Sequence, residues 1–133
     1  MLPDKTLKAF ENIHTPFYYY NTELLKKTLD VYTECIKKYG YSAHYALKAN
    51  TDPVLLEMIK SYGLGADCVS GNEVKVAVEA GFSPDKIVYA GVGKSDKEIE
   101  TALDAGIFSF NCESIEEISV IEQIAASKKK TAR

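Results

Sequence analysis

KIVYAGVGKSDKEIETALDAGIFSFN, residues 86–111, holds two short apolar runs, Lys86–Ala90 and Phe108–Asn111, with a helical pattern from Ser95 to Ala105 between them. Ser95-Asp96-Lys97-Glu98 puts a serine three places before a glutamate, the spacing at which two side chains satisfy the exposed backbone donors of a helix start. Gly106 stands where that helix should end. Neither run alternates strictly between polar and apolar residues, as expected of strands covered on both faces. Strand, helix and strand in so short a stretch make one βα unit of a parallel sheet.

The same grammar extends in both directions. Upstream, Asn21 or Thr22 can cap a helix that runs to about Tyr39, with Leu24, Leu25, Thr28, Leu29, Tyr32 and Ile36 recurring on one face and Gly40 as its stop. An apolar run at Ser42–Leu47, a helix opening at Asp52-Pro53, a run at Gly65–Val69 and a helix from Asn72 to Ala80 follow. Downstream, Ser114-Ile115-Glu116-Glu117 repeats the Ser-x-x-Glu spacing and opens a helix to Ala126. Strand starts at 42, 65, 86 and 108 recur roughly every 22 residues, with short loops between elements. A (β/α)8 barrel and an open doubly wound sheet both fit this beat. A complete barrel takes about 250 residues, so the barrel here could only be partial. The ending KKKTAR supplies no turn or cap and reads as the entry to another strand, so the chain is expected to be truncated.

Composition narrows the function classes. With 133 residues, 46% hydrophobic content and a net charge of −3, the sequence fits an ordinary globular chain with no electrostatic field for nucleic acid. The Lys128-Lys129-Lys130 run reads as a solvated helix end. No stretch approaches the ~20 apolar residues of a membrane helix, and MLPDKTLKAF lacks the apolar block of a secretory signal, which points to the cytoplasm and away from a membrane. Cys35, Cys68 and Cys112 are odd in number and widely spaced, which suits reduced thiols better than a disulfide framework or a zinc site.

In parallel α/β folds the chemistry gathers at the carboxyl ends of the strands. HYALKANTDP, residues 44–53, places Lys48 there, at the end of a strand that reads as buried. An amine withdrawn from bulk water is a nucleophile for an aldehyde; the alternative is a lysine that snorkels to the rim. Asp67, Ser70 and Glu73 lie at the next strand end and helix start, where Asp67 could balance a cationic intermediate and Ser70 and Glu73 suit helix capping. AGVGKS, residues 90–95, resembles the end of a phosphate-binding loop. It lacks the earlier glycine that such a loop needs, since Val88 occupies that place, and reads as a strand-to-helix turn.

Five blocks, FYYYN, HYALKAN, GLGADCVSGNEVKVAVEAGF, KIVYAGVGKSDKEIETALDAGI and FSFNCESIEEI, resemble in order and spacing the amino-terminal part of the diaminopimelate decarboxylase family. These are fold-type III enzymes that use pyridoxal 5′-phosphate. The resemblance runs from about Thr15 to the last residue and implies the first half of a TIM-type barrel of the alanine racemase-like fold. Residues 1–133 would be the amino-terminal part of the pyridoxal-phosphate-binding barrel domain, with residues 1–21 leading in. The rest of the barrel and a carboxy-terminal β domain would lie outside the chain.

The resemblance further implies that Lys48 forms the Schiff base with pyridoxal phosphate, that Asp67 is the acidic residue near the cofactor, and that Ala46 is the small residue beside its ring. The reaction implied is decarboxylation of meso-2,6-diaminopimelate to L-lysine and CO2, the last step of lysine biosynthesis, by a full-length homodimer acting on a small amino acid. Other family motifs, for phosphate, pyridine nitrogen and substrate carboxylate, would fall beyond Arg133. The fragment alone is expected to be inactive. Ornithine, arginine or carboxynorspermidine decarboxylases share the strand-end lysine, and a non-catalytic pyridoxal-phosphate-binding module is the reading from a different class.

Overall fold

A computed structural model describes residues 2–133. Helix α1 spans Asp4–Phe10 and α2 spans Thr22–Tyr39, after which strands and helices alternate: β1 His44–Ala46, α3 Pro53–Ser61, β2 Gly65–Cys68, α4 Gly71–Glu79, β3 Ile87–Tyr89, α5 Asp96–Ala105, β4 Ser109–Phe110 and α6 Ile115–Ser127. The four strands form one parallel sheet in the order β1-β2-β3-β4. Each pairing carries the same offset of 21 residues, as in His44 with Gly65, Ala66 with Ile87 and Val88 with Ser109.

Two observations choose between the architectures left open by the sequence. Strand order follows chain order with no reversal, whereas a doubly wound sheet reverses at a switch point. The helices also share one side. Ala66, Cys68, Ile87, Tyr89 and Phe110 are buried in one core with Leu56 of α3, Val74 and Ala77 of α4, Ile99, Ala102 and Leu103 of α5, and Ile121 and Ala125 of α6. Side chains alternate across a strand, so the intervening row, Ala46, Asp67, Val88 and Ser109, projects from the opposite face. Helices outside and a second row inside make this a partial (β/α)8 barrel.

Local chemistry explains most boundaries. The Asn21 side chain accepts from Leu24 N at 2.9 Å to open α2, and Gly40 closes it at φ +68°. Asp52 caps α3 by accepting from Val54 N and Leu55 N, with Pro53 in the first turn. Lysines meet helix carboxyl ends, where carbonyls lack partners. Lys60 Nζ donates to Ala80 O at 2.9 Å, Lys86 Nζ to Gly63 O at 3.1 Å, and Lys130 Nζ to Leu103 O at 3.1 Å.

Several readings need correction. The Ser42–Leu47 run yields a strand of three residues, because Leu47–Ala49 turns into a 3-10 helix that buries Leu47 completely. The proposed apolar face of α2 is too wide: Leu29 is buried against Ile59 and Leu64, whereas Leu24 is 62% and Tyr32 49% exposed. The lysine run is docked rather than simply solvated. Lys128 and Lys130 both bind the Asp104 carboxylate, at 3.0 and 2.7 Å, and hold it below the usual carboxylate range. Arg133 O accepts from Phe110 N at 2.7 Å, so the last residues lie along the outer edge of β4. KKKTAR does supply a helix end, contrary to the reading that it has no turn or cap: Lys128 is the C-cap of α6 and Lys129 turns the chain at φ +53°.

Candidate active site at the carboxyl ends of the strands

Register brings Ala46 and Asp67 side by side on the inner row. One oxygen of Asp67, Oδ1, is sealed from solvent and has no hydrogen-bond partner among the described residues. Leaving a buried acceptor unmade costs about 1–3 kcal/mol, and more for a charged group, so this oxygen is left wanting a donor. Its neighbour Cys68 faces the helices. Burial, then Glu73 and Asp67, push that thiol up to about 12, which keeps it protonated and inert.

Lys48 follows Ala46 by two residues and lies in the 3-10 turn, where it is exposed. The expectation of a buried lysine is therefore corrected: Leu47 takes the buried position and lifts Lys48 to the rim. The turn is fixed from both sides. Asn50 accepts from Asp52 N at 2.8 Å and donates to Tyr20 OH at 2.7 Å, while Tyr45 OH donates to Asn50 O at 3.2 Å. The extended FYYYN stretch thereby acquires a role. Tyr20 reaches the lysine turn, and on alternate positions Phe17 and Tyr19 pack on Phe10 of α1, each with ring centroids 5.1 Å apart. Tyr20, Tyr45 and Asn50 escaped the sequence reading of the site, although all three lie in blocks that carry the resemblance.

Beyond β2, β3 and β4, the glutamate third in the following helix reaches back into the loop before it. Glu73 accepts from Val69 N at 2.8 Å, Glu98 from Ser95 N at 3.0 Å and Glu117 from Glu113 N at 2.7 Å. Ser70 and Ser114 accept from Glu73 N and Glu117 N, so capping is what Ser70 and Glu73 do. In α6 the reciprocal bond lands one residue earlier than the Ser-x-x-Glu pattern implies. Glu98 also accepts from Gly71 N at 2.9 Å, tying α5 to the start of α4. AGVGKS is a turn, as read, and its lysine is already committed: Lys94 Nζ lies 2.5 Å from Glu117 Oε1.

These carboxylates make the fold sensitive to acid. Backbone N–H donors of Ser95 and Gly71, with the Ser95 hydroxyl, hold Glu98 below the usual range. Burial raises Glu117, but the Glu113 N–H and Lys94 outweigh it. A folded-state pKa below the unfolded value gives stability that is complete above about 4.3 and is lost as pH falls through the folded value. The melting temperature should therefore drop on acidification below about pH 5, with Glu98→Gln less stable at neutral pH and flatter on the acid limb. Superimposable pH profiles for the two proteins would remove Glu98 from that role.

The family model described as "Pyridoxal-dependent decarboxylase, pyridoxal binding domain" matches residues 23–133. The chain belongs to this family of pyridoxal-dependent decarboxylases. Among its relatives, a diaminopimelate decarboxylase of Bacteroides thetaiotaomicron is 52% identical over 127 residues, 95% of this chain and 33% of the relative. The crystal structure of the Helicobacter pylori diaminopimelate decarboxylase complexed with L-lysine superposes with a TM-score of 0.87 at 41% identity, covering 96% of this chain and 32% of that one. An arginine decarboxylase of Paramecium bursaria Chlorella virus gives a TM-score of 0.79 at 27% identity, over 91% of this chain and 32% of that one. The chain thus spans about a third of the length of the relatives it matches.

Proposed function

We propose that this chain is the amino-terminal part of the barrel domain of a pyridoxal-phosphate enzyme, with residues 1–21 leading in, and that the full-length protein decarboxylates meso-2,6-diaminopimelate to L-lysine and CO2. The 52% identity to a diaminopimelate decarboxylase across 95% of the chain carries the reading. The residues present fit the cofactor. Lys48 offers an exposed amine at the rim, Asp67 Oδ1 a sealed acceptor, and Ala46 a methyl group beside it on the inner row.

When bound, pyridoxal phosphate supplies an aldehyde that links to an amine and a ring that takes up the electron pair left by a departing carboxylate. Lys48 Nζ is this chain's amine for that link. Exposed at the rim, it would be placed to hold the group and to carry a proton to or from the substrate. Asp67 would lie beside the bound group, where its carboxylate would accept a hydrogen bond and balance positive charge. Homodimerisation of the full-length protein and a cytoplasmic location belong to the same proposal, as does inactivity of the 133-residue chain by itself, which carries half a barrel.

CO2 release by the full-length protein with pyridoxal phosphate, measured separately with meso-diaminopimelate, ornithine and arginine, tests the reading. Turnover of diaminopimelate alone is expected. Preference for another amino acid would move the substrate within the same fold, and no turnover with any would replace the enzyme with a non-catalytic binding module.

A further inference from the structure

The Lys94 side chain is enclosed, 1% exposed, and nothing in the proposed reaction uses it. An ammonium has three N–H donors, and all three are matched: Gly91 O at 2.8 Å, Asn111 O at 3.0 Å and Glu117 Oε1 at 2.5 Å. The Tyr89 ring lies 5.3 Å away and adds a cation–π contact. Burying such a pair seldom gains stability over an apolar substitute of similar shape, so its presence calls for another account.

Geometry supplies one. Gly91 and Asn111 lie in the loops that follow β3 and β4, so one ammonium pins two loops at the carboxyl end of the sheet. The effect continues to a third strand. Gly91, at φ +91°, packs so closely that a Cβ there would lie 3.2 Å from Val69 O and 3.4 Å from Val69 Cβ. Val69 is two residues beyond Asp67, with its own N–H held by Glu73. Gly91 is therefore where the β3–α5 loop lies against the end of β2.

We propose that Lys94 is a positioning residue for the pyridoxal site, its buried ammonium fixing the β3–α5 and β4–α6 loops and, through Gly91 and Val69, the strand end that carries Asp67. This inference rests on the cofactor reading above. Lys94 does not touch the reacting atoms. Its work is to keep three strand ends in one relative position while ligand enters and leaves.

The test uses the full-length protein with Lys94→Met, which keeps the stem and removes the ammonium, and Glu117→Gln, which keeps both carbonyl bonds to Lys94 but removes the charge and leaves one acceptor oxygen to serve both Lys94 and the Glu113 N–H. Three quantities are read: the melting temperature from a thermal scan and, at 25 °C, amide exchange of residues 69, 90–95 and 111–114 without cofactor and the pyridoxal phosphate dissociation constant from the visible absorption of the lysine adduct. Faster exchange in those segments and a dissociation constant raised roughly tenfold or more in Lys94→Met are expected, with a smaller shift in Glu117→Gln. A merely structural lysine would lower the melting temperature of both variants and leave affinity at 25 °C unchanged, which overturns the proposal. If Lys94→Met does not fold, Glu117→Gln decides, and unchanged affinity there overturns it. Absence of any adduct in the wild type overturns the cofactor reading and this inference together; a normal adduct in wild type and variants overturns this inference alone.

Discussion

Lys48→Ala should eliminate covalent capture of pyridoxal phosphate. Borohydride reduction followed by peptide mass analysis is expected to find a pyridoxyl group on Lys48 in the full-length wild type and on no lysine in the variant. CO2 release should fall by about 10³-fold or more, the scale on which removal of a covalent nucleophile is felt. The fold should not register the change. Lys48 is exposed and makes no side-chain hydrogen bond or ion pair among the described residues, so its truncation falls in the class worth within about 0.5 kcal/mol. That contrast gives the experiment its force, because lost activity with an unchanged melting temperature cannot be assigned to unfolding. An undiminished adduct in Lys48→Ala, or one on a different lysine in the wild type, would remove Lys48 from the site.

Gly65→Ala should act on the fold alone, and severely. A Cβ at residue 65 would lie 2.3 Å from the backbone oxygen of Lys86 and 2.3 Å from the His44 ring. The imidazole can swing aside. The Lys86 carbonyl cannot, because it sits directly before β3, where Ala66 and Ile87 are in register. Relief therefore requires parting β2 from β3 in the middle of the sheet. Overpacking of this kind costs about 3 kcal/mol or more, a large share of the roughly 5–15 kcal/mol that holds a domain folded. Urea unfolding followed by circular dichroism should show the loss. Adding His44→Ala should recover only part of it, and full recovery would identify the imidazole, rather than the strand, as the obstacle.

The elements that proved legible in the sequence share a local cause. Asn21, Asp52-Pro53, Ser70, Ser95 and Ser114 open helices through bonds to residues two or three positions away, and Gly40, Gly63, Gly81 and Gly106 follow helices at positive φ. Chemistry confined to one turn can be read from one turn. Helix α1 had no such sign, since Pro3 precedes it without a side-chain cap. Leu24 and Tyr32 looked like core because helical period identifies a stripe but not how much of it a neighbour covers.

Site chemistry divides in the same way. Lys48, Asp67 and Ala46 stood out through resemblance to a family, and the strand register explains why two of them are adjacent. The position of Lys48 was misjudged by the length of one strand, because a 3-10 turn after Ala46 leaves no periodic trace in so short a segment. Lys94 and Glu117 lie 23 residues apart in chain but in contact in space, and no local rule pairs them. Only once neighbouring strands are known to be offset by 21 residues do these two positions fall at adjacent loops.

That constant offset bears on how the chain comes to be folded at all. Each of β2, β3 and β4 joins a partner made 21 residues earlier, so each addition closes a loop of the same length and meets the same entropic cost. Each of these three strands finds its partner already made. At about 5–20 residues per second a ribosome delivers one such unit in roughly one to four seconds, whereas helix formation and loop closure take microseconds or less. The sheet can therefore extend at the pace of translation, with each helix laid over the preceding pair of strands before the next strand emerges.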